Sequence, residues 1–260
     1  MRPIILSWRD YDLHSAPVFA GLAVLAAYLY FRSRNKELGL SLDDFWTLML
    51  SLMLGLFLGG VLVYASCYGP GLAHNLGALR RGAVAGGSFL GVFWGAAAAA
   101  YIFCRIRGLA FAPIADALGA AASLGLVPMR MGCLLNGCCY GRPTRLAWGI
   151  VFRDVHSAVA RDLRGVALHP SQIYEGLGAL VIFLFLHLGM LPRTRNGRAR
   201  PGAAFLLFIA LYASLRFALD FLRGSDPGNI TGAGLSTAQL FSLLSLGVVA
   251  AAWALRRKSA

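Results

Sequence analysis

Three short stretches of the chain gather the residue types that hold and polarise an anion. The first is Met129–Thr144, MRMGCLLNGCCYGRPT. A guanidinium such as that of Arg130, at the end of an apolar run, is costly unless it meets an anion or a carboxylate, or snorkels to the interface. Asn136 offers two donors and an acceptor. Arg142 adds a second planar donor fork suited to phosphate. Gly132, Gly137 and Gly141 permit close backbone approach or turns with positive φ. The second stretch, Leu211–Asp226 (LYASLRFALDFLRGSD), carries Tyr212, Arg216, Asp220 and Arg223 at spacings of four, four and three. On a helix that spacing aligns them along one face. Arg216 and Asp220 can then pair and leave guanidinium hydrogens for a ligand; the alternative is an ion pair that only braces the bundle. The third stretch, His169–Glu175 (HPSQIYE), opens an apolar run. Pro170 suits a first helical turn and Ser171 a helix cap. His169 is a candidate general base or phosphate donor near neutral pH. Glu175 is a candidate partner for His169 or for an arginine. A plain helix start with interfacial aromatics is the other reading of this segment.

Five cysteines are too few for a disulfide scaffold, and Cys133, Cys138 and Cys139 crowd into the first stretch. Their C-x4-C-C spacing is not one of the paired zinc patterns. A metal site completed by His169 competes with a disulfide on an oxidising face, formed with Cys133 or Cys67 as the partner, and with burial of free thiols. Burial of free thiols is the expected outcome. Neither a metal nor a cofactor is expected.

The elements that must position these residues are membrane spans. Of 260 residues, 58% are apolar and 13% charged, and the mean hydropathy is +0.66. A soluble domain of this size needs roughly a quarter of its residues charged. Stretches long enough to cross about 30 Å of hydrocarbon run approximately over 17–31, 45–66, 83–104, 109–128, 172–190, 201–222 and 238–255. The expected fold class is therefore all-α: one polytopic membrane domain over residues 1–260, with about seven transmembrane helices. Gly55, Gly59, Gly60, Gly86, Gly87 and Gly91 are small enough to let helices approach closely. Met1–Ser15 is interrupted by charges and lacks a small-residue cleavage site, so the first apolar run reads as a retained span.

Loop charge sets the orientation. Arg32, Arg34 and Lys36 follow the first span, and Arg105 and Arg107 the third. Arg193, Arg195, Arg198 and Arg200 follow the fifth, and Arg256, Arg257 and Lys258 the seventh. Every second loop is thus short and basic, which puts the N-terminus outside and the C-terminus in the cytoplasm. Arg80 and Arg81 depart from the pattern locally. The outer face carries a loop region at about 129–171 and the turn-rich 223–237. The net charge of +13 has no basic helix or interleaved aromatics behind it, which argues against nucleic acid. It fits basic loops and an anionic membrane lipid.

Taken in order, the three stretches resemble the prolipoprotein diacylglyceryl transferase family. The family's Arg-apolar-Gly followed by an Asn-Gly turn and Gly-Arg is similar to Arg130, Met131, Gly132, then Asn136, Gly137, Gly141 and Arg142. Its His-Pro-Ser-Gln-apolar-Tyr-Glu segment is matched from His169 to Glu175. Its late Tyr, Arg, acidic, Arg helix is matched by Tyr212, Arg216, Asp220 and Arg223, with Asp where Glu is usual. Asp116 and Gln239 also stand at family-like positions. The resemblance runs from about Asp43 to the end of the chain.

The resemblance implies a seven-span enzyme of the bacterial inner membrane. It would move the diacylglyceryl group of phosphatidylglycerol onto the lipobox cysteine thiol of a prolipoprotein, releasing glycerol phosphate. Arg130 and Arg216 are then expected to stabilise the phosphate, with Asn136, Gly137, Arg142, Tyr212 and Arg223 as headgroup or positioning contacts. Asp220 and Glu175 would orient the arginines, and His169 would be the base for the thiol. The chain departs from the family at four places. Ala85 stands where a His often precedes Gly-Gly, and Ala20 where a Tyr is usual. Val61 replaces an Arg after the second span's Gly-Gly, and Cys138 an acidic residue after the Asn-Gly turn. These departures motivate a rival expectation, a non-catalytic lipid-binding membrane protein that keeps the headgroup pocket.

Overall fold

The computed structural model describes residues 3–8, 11–67, 89–223 and 234–258. The expectations for Arg80, Arg81, Ala85, Gly86 and Gly87, and for the stretch 224–233, lie outside these residues. The chain forms two compact units, Arg34–Ala115 and the combination of Met1–Ser33 with Asp116–Ala260.

The smaller unit holds α2 (Asn35–Leu38), α3 (Leu42–Cys67) and α4 (Phe89–Arg107). Gly39, at φ 64°, ends α2 in the left-handed conformation that glycine adopts without penalty. Ser41 then starts α3: its hydroxyl oxygen accepts from the Asp44 amide at 3.0 Å, satisfying a donor the helix leaves open. Arg107, the last residue of α4, pairs with that same first turn, its Nε 2.7 Å from Asp44 Oδ1. Further along, α3 and α4 meet backbone to backbone. A Cβ on Gly55 would lie 2.5 Å from the Gly95 carbonyl oxygen, and one on Gly59 would overlap the Gly91 carbonyl. The packing role expected of Gly55, Gly59 and Gly91 is thus met. Gly95 completes the contact and was not singled out in the sequence. Leu50, Met53, Leu54 and Phe57 stand exposed on α3 at helical spacing, a surface suited to lipid.

The larger unit begins with an antiparallel hairpin, β1 (Ile4–Trp8) and β2 (Tyr11–His14), in which Ile4 faces His14 and Trp8 faces Tyr11. No strand was expected there, because strands of four or five residues broken by charges show too little alternation to register. The unit continues with α1 (Ser15–Ser33), α5 (Phe111–Asn136) and α6 (Ser171–Leu184). A π-helical turn, Phe185–Met190, carries α6 into α7 (Leu191–Arg195). Then come α8 (Ala203–Asp220) and α9 (Thr237–Lys258).

Among the described residues, six helical segments have the length and composition to cross a membrane: Ser15–Ser33, Leu42–Leu62, Phe111–Asn136, Ser171–Arg195, Ala203–Asp220 and Thr237–Arg257. The fold is therefore that of an all-α, multi-pass membrane protein. The boundaries differ from the expected ones most at α5, which passes through Pro128 and reaches Asn136. Neighbouring helices and local adjustments let a span absorb an internal proline. Arg130 and Asn136 consequently project from a helix, and the connection to α6 shortens to residues 137–170. That connection is itself folded. Strands β3 (Ile150–Val151) and β4 (Ala167–Leu168) pair antiparallel, and Phe152, Val159 and Leu168 pack with Leu134 of α5 into a small core. Arg193 and Arg195 likewise extend the α6–α7 helix and do not lie in a loop.

At the opposite end of α5, Asp116 is buried and spans to the start of α8. Its carboxylate accepts from the Gly202 amide at 2.7 Å and the Phe205 amide at 2.8 Å. A carboxylate at a helix N-terminus satisfies open amides and meets the positive end of the helix dipole. The place of Asp116 in the sequence is thus explained by packing α5 against α8. Arg200 joins the same end to α9 by donating to the Arg256 carbonyl at 2.6 Å.

Candidate functional site

Glu175 is the centre around which the site is built. It lies one turn into α6, and its side chain is entirely inaccessible to solvent. A bare carboxylate there would be prohibitively costly, so its oxygens must be fully engaged. They are. Arg130 Nη2, from α5, lies 2.6 Å from Oε1, and the Tyr212 hydroxyl, from α8, donates to the same oxygen at 2.7 Å. Arg223, just past α8, reaches Oε2 at 2.9 Å. Three elements are thereby drawn to one buried charge. Gly176, next along α6, faces Arg130: a Cβ there would make ordinary contact, at 3.4 Å, with the arginine's own Cβ.

The second cluster sits along the end of α8. Arg216 and Asp220, one turn apart, pair at 2.9 Å, as their spacing suggested. The other Asp220 oxygen accepts a hydrogen bond from the Ser236 hydroxyl. Ser236 opens α9 in a reciprocal cap: its hydroxyl oxygen accepts from the Gln239 amide, and its own amide donates to Gln239 Oε1, both at 3.0 Å. The helix-face stripe read from the sequence therefore divides. Tyr212 and Arg223 serve Glu175, while Arg216 serves Asp220. The clusters remain electrically in touch. Burial first, and then the Arg216 charge, draw the Arg223 guanidinium below its ordinary pKa. Among the described residues, these three guanidiniums face two carboxylates, an excess of one positive charge.

The turn after α5 supplies the rest. Gly137 adopts φ 76°, and a Cβ on it would collide with the Ser157 hydroxyl. The chain then runs Cys138, Cys139, and both carbonyls are held by the start of α6. Gln172 Nε2 donates to the Cys138 carbonyl at 2.8 Å, and the Ser171 hydroxyl donates to that of Cys139 at 2.6 Å. This corrects the expectation for Ser171, which makes no helix cap; Pro170 occupies the capping position without a side-chain bond. Cys104, Cys133, Cys138 and Cys139 are free thiols, and Cys139 is exposed where burial was expected. Hydrogen bonds from the Cys133 and Cys138 thiols, with the Arg130 and Arg223 charges behind them, hold the Cys139 thiol well below its ordinary pKa.

His169 and Arg142 are locked together through the backbone. The His169 amide donates to the Arg142 carbonyl at 3.0 Å, and the Gly141 amide to the His169 carbonyl at 3.0 Å. Arg142 also ties this turn to the end of α8, its amide donating to the Leu222 carbonyl at 2.8 Å and its Nε to the Arg223 carbonyl at 2.9 Å. Gly141 is required where these strands cross, since a Cβ would lie 2.5 Å from that of His169. Glu175, offered as a partner for either His169 or an arginine, takes the arginines. Asn136 ends α5 with its carbonyl accepting from the Ala158 amide at 2.9 Å.

Several buried polar atoms have no hydrogen-bond partner among the described residues: Arg130 Nε, Arg223 Nε, His169 Nδ1 and Gln172 Oε1. Unsatisfied donors on cationic groups are expensive, and in a native fold they point to a ligand or to water. Chemically, the arrangement suits a singly charged, oxygen-rich anion. The supporting roles of Ser236, Ser171 and Gln172 were not identified from the sequence. Only the S-x-x-Q signature before the last apolar run carried a signal for the first of them.

The family model described as prolipoprotein diacylglyceryl transferase matches residues 3–255. A phosphatidylglycerol–prolipoprotein diacylglyceryl transferase of Clostridium tetani is 28% identical over 248 residues, 95% of this chain and 94% of that protein. One from Solidesulfovibrio magneticus is 33% identical over 260 residues, 98% of this chain and 91% of the relative. One from Cereibacter sphaeroides is 36% identical over 217 residues, 77% and 73% of the two chains. With a match of this extent, the chain belongs to the prolipoprotein diacylglyceryl transferase family.

Proposed function

We propose that this protein transfers the diacylglyceryl group of phosphatidylglycerol to the thiol of a prolipoprotein lipobox cysteine. The observation that carries the reading is the convergence of Arg130, Arg216 and Arg223 on two carboxylates, with one positive charge in excess among the described residues. That surplus matches the single charge of a phosphodiester. In the reaction a thiolate forms a sulfur–carbon bond to the glyceryl carbon, and the carbon–oxygen bond to phosphate breaks. Glycerol phosphate leaves with more negative charge than the diester carried. Arginines fixed in advance around that phosphate favour the transition state over the bound lipid.

In this reading Arg130 and Arg216 stabilise the leaving phosphate, and Arg223 shares the headgroup with Arg142, Asn136 and the backbone at Gly137. Glu175 and Asp220 hold the guanidiniums in place, and Tyr212 completes the Glu175 shell. His169 takes the thiol proton through Nδ1, which is buried and has no partner among the described residues. The topology that goes with this function has seven spans in the bacterial inner membrane, α4 being the seventh, with the N-terminus outside and the C-terminus cytoplasmic. Basic residues at the ends of α1, α4, α7 and α9 support that orientation.

The test is transfer of labelled diacylglyceryl from phosphatidylglycerol to a lipobox peptide by purified protein. Arg216→Ala is expected to lower the rate by about a hundredfold or more, as loss of one preorganised donor does, while inserting normally. Undiminished transfer by both Arg130→Ala and Arg216→Ala would refute the phosphate assignment. Ala20 and Val61, standing where the family carries Tyr and Arg, favour a second reading: lipid binding without transfer. Saturable phosphatidylglycerol binding by a folded protein with no turnover would select it.

A further inference from the structure

We propose that Cys133, Cys138 and Cys139 form a three-coordinate thiolate site for a soft monovalent cation of the copper(I) class. Their three sulfurs lie within 4.8 Å of one another. At a metal–sulfur distance of about 2.3 Å, a trigonal site spaces its sulfurs about 4 Å apart. The side chains need to close by less than about 1 Å, a rotamer adjustment within reach of any cysteine.

The backbone around the sulfurs is built to hold them there. The Gly137 and Cys138 amides both donate to the Cys133 carbonyl, at 2.9 and 3.1 Å, which folds Cys138 back over the last turn of α5. Cys139 adopts φ 60°, the one positive φ among the described residues other than glycine. Such a conformation persists only where its surroundings enforce it. Here they do: the Cys138 and Cys139 carbonyls are pinned by Gln172 and Ser171 of α6. The ligands therefore sit on a frame fixed by two helices and do not depend on a free loop.

The ligand count selects the ion. No fourth His, Cys, Asp or Glu joins the group among the described residues. Structural zinc demands four protein ligands, whereas soft monovalent ions favour thiolates and are content with three. Charge agrees with this choice. Binding releases three thiol protons to solvent and forms three metal–sulfur bonds with no change in oxidation state, leaving a site of net charge −2. The Arg130 and Arg223 charges both act on the Cys139 sulfur and offset part of that charge, Glu175 already balancing one of the two. The proposal stands independently of the transferase reading, since it requires only these three thiols. If both hold, the loaded site competes with the lipid phosphate for the same arginines.

The test is anaerobic titration of the full-length, reduced protein in detergent with the acetonitrile complex of copper(I), against a chromogenic copper(I) chelator. One ion per chain is expected, with X-ray absorption reporting three sulfurs at about 2.3 Å. Cys133→Ser and Cys139→Ser should each lose at least about a hundredfold in affinity, the upper end of what loss of an outer-shell partner costs. Cys104→Ser should bind as the wild type does. Three results would overturn the proposal: no stoichiometric uptake by the wild type, preferential zinc binding with a water or nitrogen ligand, or uptake that survives the Cys133 and Cys139 substitutions. Absorption on the wild type decides the ligand set even where a variant folds poorly.

Discussion

Replacing Glu175 by glutamine should be among the most damaging isosteric changes this protein can suffer. The glutamate is wholly buried and accepts from two guanidiniums and a phenol. Glutamine keeps the shape but offers one acceptor oxygen and a donor group. If the oxygen serves Arg130 and Tyr212, the amide hydrogens face Arg223, donor against donor. Both arginines also lose their counter-charge. Breaking one buried ion pair by removing a partner costs about 3–5 kcal/mol. For a chain of this size each kcal/mol moves the melting point by roughly 2–4 °C, so the expected drop is on the order of 10 °C. The assay is thermal unfolding of purified protein in detergent, followed by circular dichroism, with and without phosphatidylglycerol. The anionic lipid should restore more of the melting point in Glu175→Gln than it adds to the wild type, because it supplies the missing negative charge. A variant melting within about 2 °C of wild type would show that Glu175 does not compensate two buried cations, and the charge argument for the site would fall with it.

Further outcomes follow from the same geometry. Gly59→Ala, which drives a Cβ into the Gly91 carbonyl, should weaken the α3–α4 pair and lower the melting point, whereas Gly21→Ala, with open space around it, should leave the melting point unchanged. Asp116→Ala should cost about 1 kcal/mol of stability by removing the acceptor of two amides at the start of α8. It should leave lipid transfer intact, because fourteen helical residues put it about 21 Å from Arg130. Ser236→Ala removes both the cap on α9 and the second donor to Asp220. It should lower stability by about 1 kcal/mol and slow transfer through a looser Arg216, raising the lipid concentration needed for half-maximal rate. Arg216→Lys should fail to rescue the rate, since an ammonium cannot hold Asp220 and a phosphate with a planar fork.

What was legible in the sequence is what depends on near neighbours. Spans announce themselves because an uninterrupted apolar run of helical length has one home, the hydrocarbon layer. The Arg216–Asp220 pair was readable because the helical pitch brings residues four apart together whatever lies around them. In 129–144 the sequence showed that Arg130, at the end of an apolar run, needs a counter-charge, and the structure supplies Glu175. Helix ends were less legible. The α5 helix runs on to Asn136 through a proline because the surrounding bundle, not local propensity, decides where a membrane helix stops.

Partnership across long stretches of chain was decided by the tertiary structure alone. Glu175 sits 45 residues from Arg130 and 48 from Arg223, and nothing in either segment says that one carboxylate serves both. The stripe on α8 divides between two carboxylates because Tyr212 and Arg223 meet α6, while Asp220 meets the start of α9. Asp116 finds its amides 86 and 89 residues away. The three sulfurs form a set because a left-handed turn reverses the chain after Gly137 and two α6 side chains hold it reversed. Sequence spacing determines what lies on one helix face, since the pitch is a local property of the backbone. Which faces meet follows from packing and from the course of the loops, and only the folded chain carries that information.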